Sequence, residues 1–178
     1  MTTTIKRISK QHAKKTFGCG ELELDQYLKK YALQNDKKGF GVTYVAADSD
    51  ELIVKGYYTL STGNVQHAFL PPETSQKLPR YPVPSILLAR LAVDRGAQGE
   101  GLGRTLLIHS MKQALKAGQH VGWHVMTVNA LNKNAIHFYK YFGFRALLDD
   151  DRHLFMPIKR IEGLFSGALS LTKSSHIV

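Results

Sequence analysis

Cysteine is almost absent from this chain, and its scarcity excludes several kinds of site. Cys19 is the single cysteine among 178 residues, so no disulfide can form within the chain and no cysteine pair can bind zinc. The metalloprotease pattern HExxH does not occur. His120 and His124 are four residues apart, but they lie in a predicted strand, where this spacing does not direct two side chains to one metal as it does on a helix. We expect no metal site.

Long apolar runs and negative charge are also scarce. No run approaches the roughly 20 apolar residues of a membrane-spanning helix, and the N-terminus lacks the apolar region of a signal peptide. We therefore expect a cytoplasmic protein without a membrane partner. Lys and Arg number 24 against 14 for Asp and Glu, which gives a net charge of +10. This balance favours a polyanionic partner such as nucleic acid, the alternative being a basic protein without one.

The order of predicted elements indicates a mixed α/β fold with one central sheet. Length and the absence of a linker predict one domain over residues 1–165, followed by a tail, 166–178, that we expect to be partly disordered. Residues 21–35 form a predicted helix with Leu24, Tyr27, Leu28 and Tyr31 on one face. The other predicted elements are strands at 41–47, 52–61, 86–93, 121–128 and 154–158, a proline-rich loop up to Ser85, and helices at 102–117 and 134–142, the first capped by Gly118.

A glycine-rich segment between a predicted strand and a predicted helix is the strongest signal of a ligand site. Gly99, Gly101 and Gly103 alternate with other residues just before the helix, and backbone amides in such a loop can bind phosphate. A nucleoside triphosphate loop would continue with Gly-Lys-Ser/Thr, whereas Gly103 is followed by Arg104. A dinucleotide-binding fingerprint has a different spacing and an earlier place in the chain. The pattern indicates another phosphate ligand, with a plain flexible loop as the alternative.

Two segments together resemble the GCN5-related N-acetyltransferase (GNAT) superfamily. Residues 98–103 are similar to its Q/R-x-x-G-x-G/A loop, and residues 132–144 to its N-x-x-A-x-x-F-Y-x-x-x-G-F segment. The resemblance implies a splayed central sheet flanked by helices, acetyl-CoA as co-substrate, and a hydrogen bond or proton from Tyr139 to the leaving sulfur, with Tyr141 as the weaker candidate. The acetyl-CoA-binding residues that it implies are Leu91, Ala92, Val93, Gln98, Gly99, Glu100, Gly101, Leu102, Gly103, Arg104, Asn132, Ala135 and Phe138.

The N-terminal part resembles a narrower group, the acetyltransferase toxins of type II toxin–antitoxin modules. Residues 17–28 are similar to their F-x-C/S-G-x-x-x-L-D-x-Y/F-L opening. The resemblance implies acetylation of the α-amino group of aminoacyl-tRNA, which blocks translation, together with a ribbon-helix-helix antitoxin and a homodimer. A tRNA substrate requires a surface that binds phosphates. The candidate residues for it are Lys29, Lys30, Lys37, Lys38, Arg80 and Arg90.

The sequence leaves open which acceptor is acetylated, and it shows no obvious side chain that would act as a base toward the acceptor amine. An α-amine has a pKa near 8, and the adjacent ester of an aminoacyl-tRNA should lower it further, so much of the amine is neutral at pH 7 and no strong protein base is needed. We expect Glu100 to face solvent and Asp94 to end its strand and cap the following turn. Residues 129–134 are closer to those of acetyltransferases for small molecules. A small amine or a protein N-terminus is therefore one alternative acceptor, and a non-catalytic nucleic-acid-binding module on the same fold is another.

Overall fold

The computed structural model describes residues 3–50 and 52–173. Its strands are β1 (Thr3–Arg7), β2 (Val42–Asp48), β3 (Val54–Val65), β4 (Val83–Val93), β5 (Val125–Asn129), β6 (Arg145–Ala146) and β7 (His153–Pro157). Its helices are α1 (Leu22–Gln26), α2 (Ala32–Lys38), α3 (Pro72–Ser75), α4 (Leu102–Ala117), α5 (Lys133–Tyr141) and α6 (Ile158–Lys173). The strands follow the order β1-β2-β3-β4-β5-β7-β6, which confirms the mixed α/β fold. None of the described helices is long and apolar enough to cross a membrane.

The chain forms two compact units. Unit 1 comprises residues 1–62 and 87–113, and unit 2 comprises residues 63–86 and 114–178. The division cuts through β3, β4 and α4, since each of these elements continues from one unit into the other. One domain over residues 1–165 stays a prediction.

Unit 1 contains antiparallel pairing of β1 with β2 and of β2 with β3. Its core places Tyr27 and Leu28 against Phe17 and Tyr57. The predicted N-terminal helix exists, but a π-helical turn, Tyr27–Tyr31, separates α1 from α2. This wider turn adds a residue and shifts the helix face, so Ala32 is buried and Tyr31 is 51% exposed. The prediction that Tyr31 lies on one face with Tyr27 and Leu28 is therefore wrong, since those two residues are buried.

Unit 2 contains antiparallel pairing of β5 with β7 and of β6 with β7. Its core combines Val65, Leu70, Val83, Val125, Leu147 and Phe155. The strand predicted from residue 121 begins only at Val125. Before it, Trp123 is buried and donates its indole N–H to the carbonyl of Ala114 at 3.0 Å. Gly118 directly follows the last residue of α4, where we predicted a cap, and its φ is not positive. A Cβ there would lie 2.9 Å from the Trp123 indole nitrogen.

Several other boundaries differ from the predicted ones. β3 continues to Val65, and a 3₁₀ turn, His67–Phe69, follows it. The proline-rich loop contains α3, and β4 begins at Val83, inside the predicted loop. α4 has its predicted bounds. α6 includes residues 166–173 of the predicted tail, whereas residues 174–178 lie outside the described part of the chain.

Candidate active site

The glycine loop is open and lies between β4 and α4, as predicted. Gly99 and Gly101 have φ values of 81° and 82°, in the left-handed region that favours glycine. A Cβ on either would meet no atom within 4 Å, so the loop borders free space. The Thr105 N–H donates to the Gly101 carbonyl at 3.1 Å and begins the helical bonding of α4. The amides of the first helical residues, Leu102 and Gly103 among them, have no partner within the helix and are available to an anion.

Asp94 and Gln98 fix the two ends of the turn that precedes these glycines. The Asp94 carboxylate accepts a hydrogen bond from the Gly96 amide at 2.9 Å and caps the 3₁₀ turn Arg95–Ala97, as expected. The Gln98 side-chain amide donates to the carbonyls of Val93 and Cys19, at 2.9 Å in both cases. Both donors of this amide are therefore occupied within the protein. Gln98 holds the loop with its side chain and can offer a phosphate only its backbone amide.

The N-terminal segment around Cys19 is bonded directly to this loop. The Gly18 amide donates to Asp94 at 2.8 Å, and the Arg95 amide donates to the Gly18 carbonyl at 2.9 Å. The Cys19 amide donates to Asp25 at 2.8 Å. Burial raises the pKa of the Cys19 thiol to about 11, so this residue is a neutral thiol at pH 7. Local sequence carries no signal for these contacts, because residues 18 and 94 are 76 positions apart in the chain.

The strand residues predicted to bind acetyl-CoA differ in accessibility. Leu91 and Val93 are half-buried, whereas Ala92 is 5% exposed and belongs to the core of unit 1. The side chain of Ala92 therefore contributes to packing, and its backbone is the part that a ligand can reach. In the loop itself, Glu100 is exposed, as expected, and so is Arg104.

Tyr139 lies near the end of α5 in unit 2. Its ring packs edge-on against Phe138 and Phe144, with centroid distances of 5.2 Å and 5.5 Å. Burial raises the pKa of the phenol well above its usual value, so the hydroxyl keeps its proton at neutral pH and is a hydrogen-bond donor. Tyr141 is 84% exposed, which makes it a poor candidate for a preorganised donor.

Asn132 and Phe138 also have structural roles in α5. The Asn132 side chain caps this helix by accepting a hydrogen bond from the Ala135 amide at 2.9 Å. Phe138 packs against Phe142 with a centroid distance of 5.0 Å. Contacts of Asn132, Ala135 and Phe138 with acetyl-CoA stay predictions.

The predicted phosphate-binding residues fall into two groups. Five of them are exposed, namely Lys29, Lys30, Lys37, Lys38 and Arg80. Arg90 differs, because its guanidinium carbon lies 3.7 Å from the centroid of the Tyr27 ring and the residue is half-buried. Within the described residues, no cluster of three or more His, Cys, Asp or Glu side chains could hold a metal ion.

Comparison with known proteins places these features in a family. Residues 39–146 match the model of the acetyltransferase (GNAT) domain. A protein of Mycobacterium tuberculosis (strain ATCC 25618 / H37Rv) named tRNA-acetylating toxin is 37% identical over 159 residues, which are 89% of this chain and 94% of that protein.

Two solved structures of the protein AtaT are similar to this chain. AtaT complexed with acetyl-methionyl-tRNAfMet has a TM-score of 0.86 and 35% identity, covering 92% of this chain and 99% of that one. A tyrosine-to-phenylalanine mutant of the AtaT toxin, bound to the C-terminus of the antitoxin AtaR and to acetyl-CoA, has a TM-score of 0.78 and 32% identity. It covers 92% of this chain and 98% of that one.

Proposed function

This chain belongs to the GNAT acetyltransferase family, and we propose that it is the toxin of a type II toxin–antitoxin module. It transfers the acetyl group of acetyl-CoA to the α-amino group of aminoacyl-tRNA and thereby blocks translation. The observation that carries this proposal is the similarity to AtaT in complex with acetyl-methionyl-tRNA, which extends over 92% of the chain.

The open glycine loop supports acetyl-CoA as the donor. A pyrophosphate is a compact dianion, and the loop offers backbone amides next to the positive end of the α4 dipole. The positive φ values of Gly99 and Gly101 explain why glycine is required there. Leu91 and Val93 lie on the strand that leads into the loop, and their backbone groups suit pairing with the amides of pantetheine. The donor supplies an activated thioester, and the chain orients it.

Tyr139 is the residue that we assign to the leaving thiolate. As the amine nitrogen bonds to the acetyl carbon, the carbon–sulfur bond breaks and charge develops on sulfur. A thiol has a pKa of about 8.5 and a phenol about 10, and burial raises the pKa of Tyr139 further. Complete transfer of the phenol proton to sulfur is therefore energetically unfavourable. Tyr139 stabilises the thiolate by donating a hydrogen bond, and the proton that finally reaches sulfur comes from the attacking amine.

The basic charge of the chain supports an acceptor that carries phosphates. The net charge is +10, and the exposed lysines Lys29, Lys30, Lys37 and Lys38 lie on one helical segment of unit 1. The reacting α-amine of an aminoacyl ester has a pKa near or below 8. The adjacent ester lowers this pKa, so a substantial fraction of the amine is neutral at pH 7 to 8, which fits a mechanism that uses direct attack without a protein base.

The same proposal includes the protein partners and the compartment. We propose that a ribbon-helix-helix antitoxin neutralises this chain, as AtaT is bound by the C-terminus of AtaR, and that the chain forms a homodimer. Acting on aminoacyl-tRNA requires a cytoplasmic location.

Incubation with labelled acetyl-CoA and total charged tRNA tests the proposed function. We expect label in aminoacyl-tRNA, released when mild base hydrolyses the aminoacyl ester, and none when the tRNA is deacylated beforehand. Label that appears only in small amines or in protein N-termini would support the first alternative acceptor. Absence of transfer to any acceptor, with tRNA binding intact, would support the non-catalytic module.

A further inference from the structure

Arg90 is a positively charged side chain held in a fixed orientation by an aromatic stack. Its guanidinium carbon lies 3.7 Å from the centroid of the Tyr27 ring. Tyr27 is 6% exposed and is itself stacked on Tyr57 at 6.3 Å and 22°. The Tyr57 hydroxyl donates to the Leu24 carbonyl at 2.8 Å. Because each layer is anchored to the next, the guanidinium plane is positioned before any ligand arrives.

This guanidinium lacks the polar partners that a half-buried cation usually has. Its Nε is buried and has no hydrogen-bond partner, and none of the ion pairs found among the described residues involves Arg90. By contrast, the Tyr58 hydroxyl in the same unit lies 2.8 Å from His109 Nδ1. A stacked ring stabilises one face of a guanidinium but leaves the N–H groups at its edge without acceptors. An unpaired buried donor calls for an explanation, such as a ligand.

The surroundings of Arg90 indicate the kind of ligand. It directly precedes Leu91, the first strand residue that we assign to acetyl-CoA. Tyr27 opens the π-helical turn Tyr27–Tyr31, which also carries the exposed Lys29 and Lys30, and such turns are frequent at functional sites. A planar guanidinium forms paired hydrogen bonds with a phosphate. The group that suits it is therefore an anionic phosphodiester.

We propose that Arg90, held by Tyr27, binds a backbone phosphate of the acceptor strand of tRNA, close to the nucleotide that carries the amino acid. This inference rests on the proposed function and deepens it, because it makes Arg90 a residue that positions the aminoacyl ester through its neighbouring phosphate. The exposed lysines then add attraction that does not depend on such a fixed geometry.

The salt dependence of tRNA binding tests this contact. Each phosphate neutralised on a single strand contributes about −0.7 to the slope of log K against log salt. We expect Arg90→Gln to reduce the magnitude of this slope by about 0.7 and to weaken binding about tenfold to a hundredfold. Arg90→Lys keeps the charge without the planar fork, so we expect the wild-type slope with an intermediate affinity. Fluorescence anisotropy of labelled, uncharged tRNA measures both quantities.

Arg152→Ala is the matched control, because Arg152 is exposed and its charge is already paired with Asp150 at 3.2 Å. We expect it to leave the slope unchanged. An Arg90→Gln protein with native circular dichroism and a wild-type slope overturns the inference. So does an equal loss of slope in Arg152→Ala. If Arg90→Gln does not fold, Arg90→Lys decides instead, and a wild-type affinity in that variant overturns the inference.

Acetyl transfer to charged tRNA by the same preparations separates this inference from the proposed function. Wild-type protein that binds tRNA with an Arg90-dependent slope but transfers no acetyl group contradicts the proposed function and supports the phosphate contact. Wild-type protein that acetylates aminoacyl-tRNA, with a KM that Arg90→Gln leaves unchanged, supports the proposed function and overturns the phosphate contact.

Discussion

The Asp94 carboxylate accepts a hydrogen bond from the backbone amide of Gly18 at 2.8 Å, across 76 positions of sequence. Its other oxygen accepts from the Gly96 amide at 2.9 Å. One side chain thereby connects the N-terminal segment to the first turn after β4. The segment that resembles the toxins and the glycine loop that resembles all GNAT enzymes are parts of one hydrogen-bonded structure.

Asp94→Asn should destabilise this structure and weaken acetyl-CoA binding. Both carboxylate oxygens accept from backbone N–H groups, and an amide side chain presents only one oxygen, so at least one of these N–H groups loses its acceptor. We expect a loss of about 1–3 kcal/mol in the free energy of unfolding, measured by urea denaturation. Asp50→Asn is the control, because Asp50 is exposed, and it should change stability by less than about 0.5 kcal/mol. Equal stability and equal acetyl-CoA affinity in the two variants would contradict the prediction.

Tyr139→Phe should keep the fold and remove most of the acetyl transfer. The substitution preserves the ring contacts with Phe138 and Phe144 and removes only the hydroxyl. We expect kcat with aminoacyl-tRNA to fall by about a hundredfold or more, since hydrogen-bond donors to developing charge contribute on this scale. The affinity for acetyl-CoA should change little.

Tyr141→Phe is the matched control for this prediction. It removes the same group two residues along the chain, from a side chain that is 84% exposed. We expect activity close to that of the wild type. A folded Tyr139→Phe protein as active and as toxic as Tyr141→Phe would exclude the assigned role of Tyr139.

Gly101→Glu should weaken acetyl-CoA binding beyond what the backbone strain of the substitution alone would cause. Gly101 has a φ of 82°, and a side chain there costs about 1–2 kcal/mol in the left-handed region. The carboxylate also adds negative charge where we expect the pyrophosphate. Gly39→Glu is the control, since Gly39 has a φ of 76° and open space around its Cβ position. Calorimetry should show weaker acetyl-CoA binding only for Gly101→Glu, whereas equal affinities would count against the loop.

His12 should make the stability of the protein depend on pH in the mildly acidic range. Desolvation by burial lowers the pKa of its imidazole below 6.5, and Nδ1 accepts the Ser9 amide at 3.0 Å. Between the folded and unfolded pKa values, the unfolded chain binds more protons. This contribution to stability is therefore complete above pH 6.5 and decreases as pH falls toward the folded pKa.

His12→Asn isolates this effect, because an amide oxygen can accept the Ser9 hydrogen bond but does not titrate. We expect the wild type to lose more stability than His12→Asn when denaturation is repeated at about pH 7.5 and pH 5.5. Parallel losses in the two proteins would show that other groups are responsible.

Local sequence patterns predicted an element best where the residues that define it lie within or next to that element. The periodic residues of α4 and the glycines before it predicted the bounds Leu102–Ala117. The same reasoning failed at Tyr31, because a π-helical turn changes the helical repeat without changing the composition of the segment. It also carried no sign that the lack of a side chain at Gly118 accommodates Trp123. Packing partners of this kind are not encoded in local periodicity.

The sequence by itself determined the family, the glycine loop and the tyrosine candidate, because each depends on residue types at fixed local spacings. Tertiary structure decided what holds these parts in place. Asp94 with Gly18, and Gln98 with Cys19, are pairs that only the folded backbone brings within 3 Å of each other. Tertiary structure also distinguished Arg90 from the exposed lysines. The guanidinium of Arg90 is stacked and partly desolvated because of the position of Tyr27, whereas the positive charge is common to both residue types.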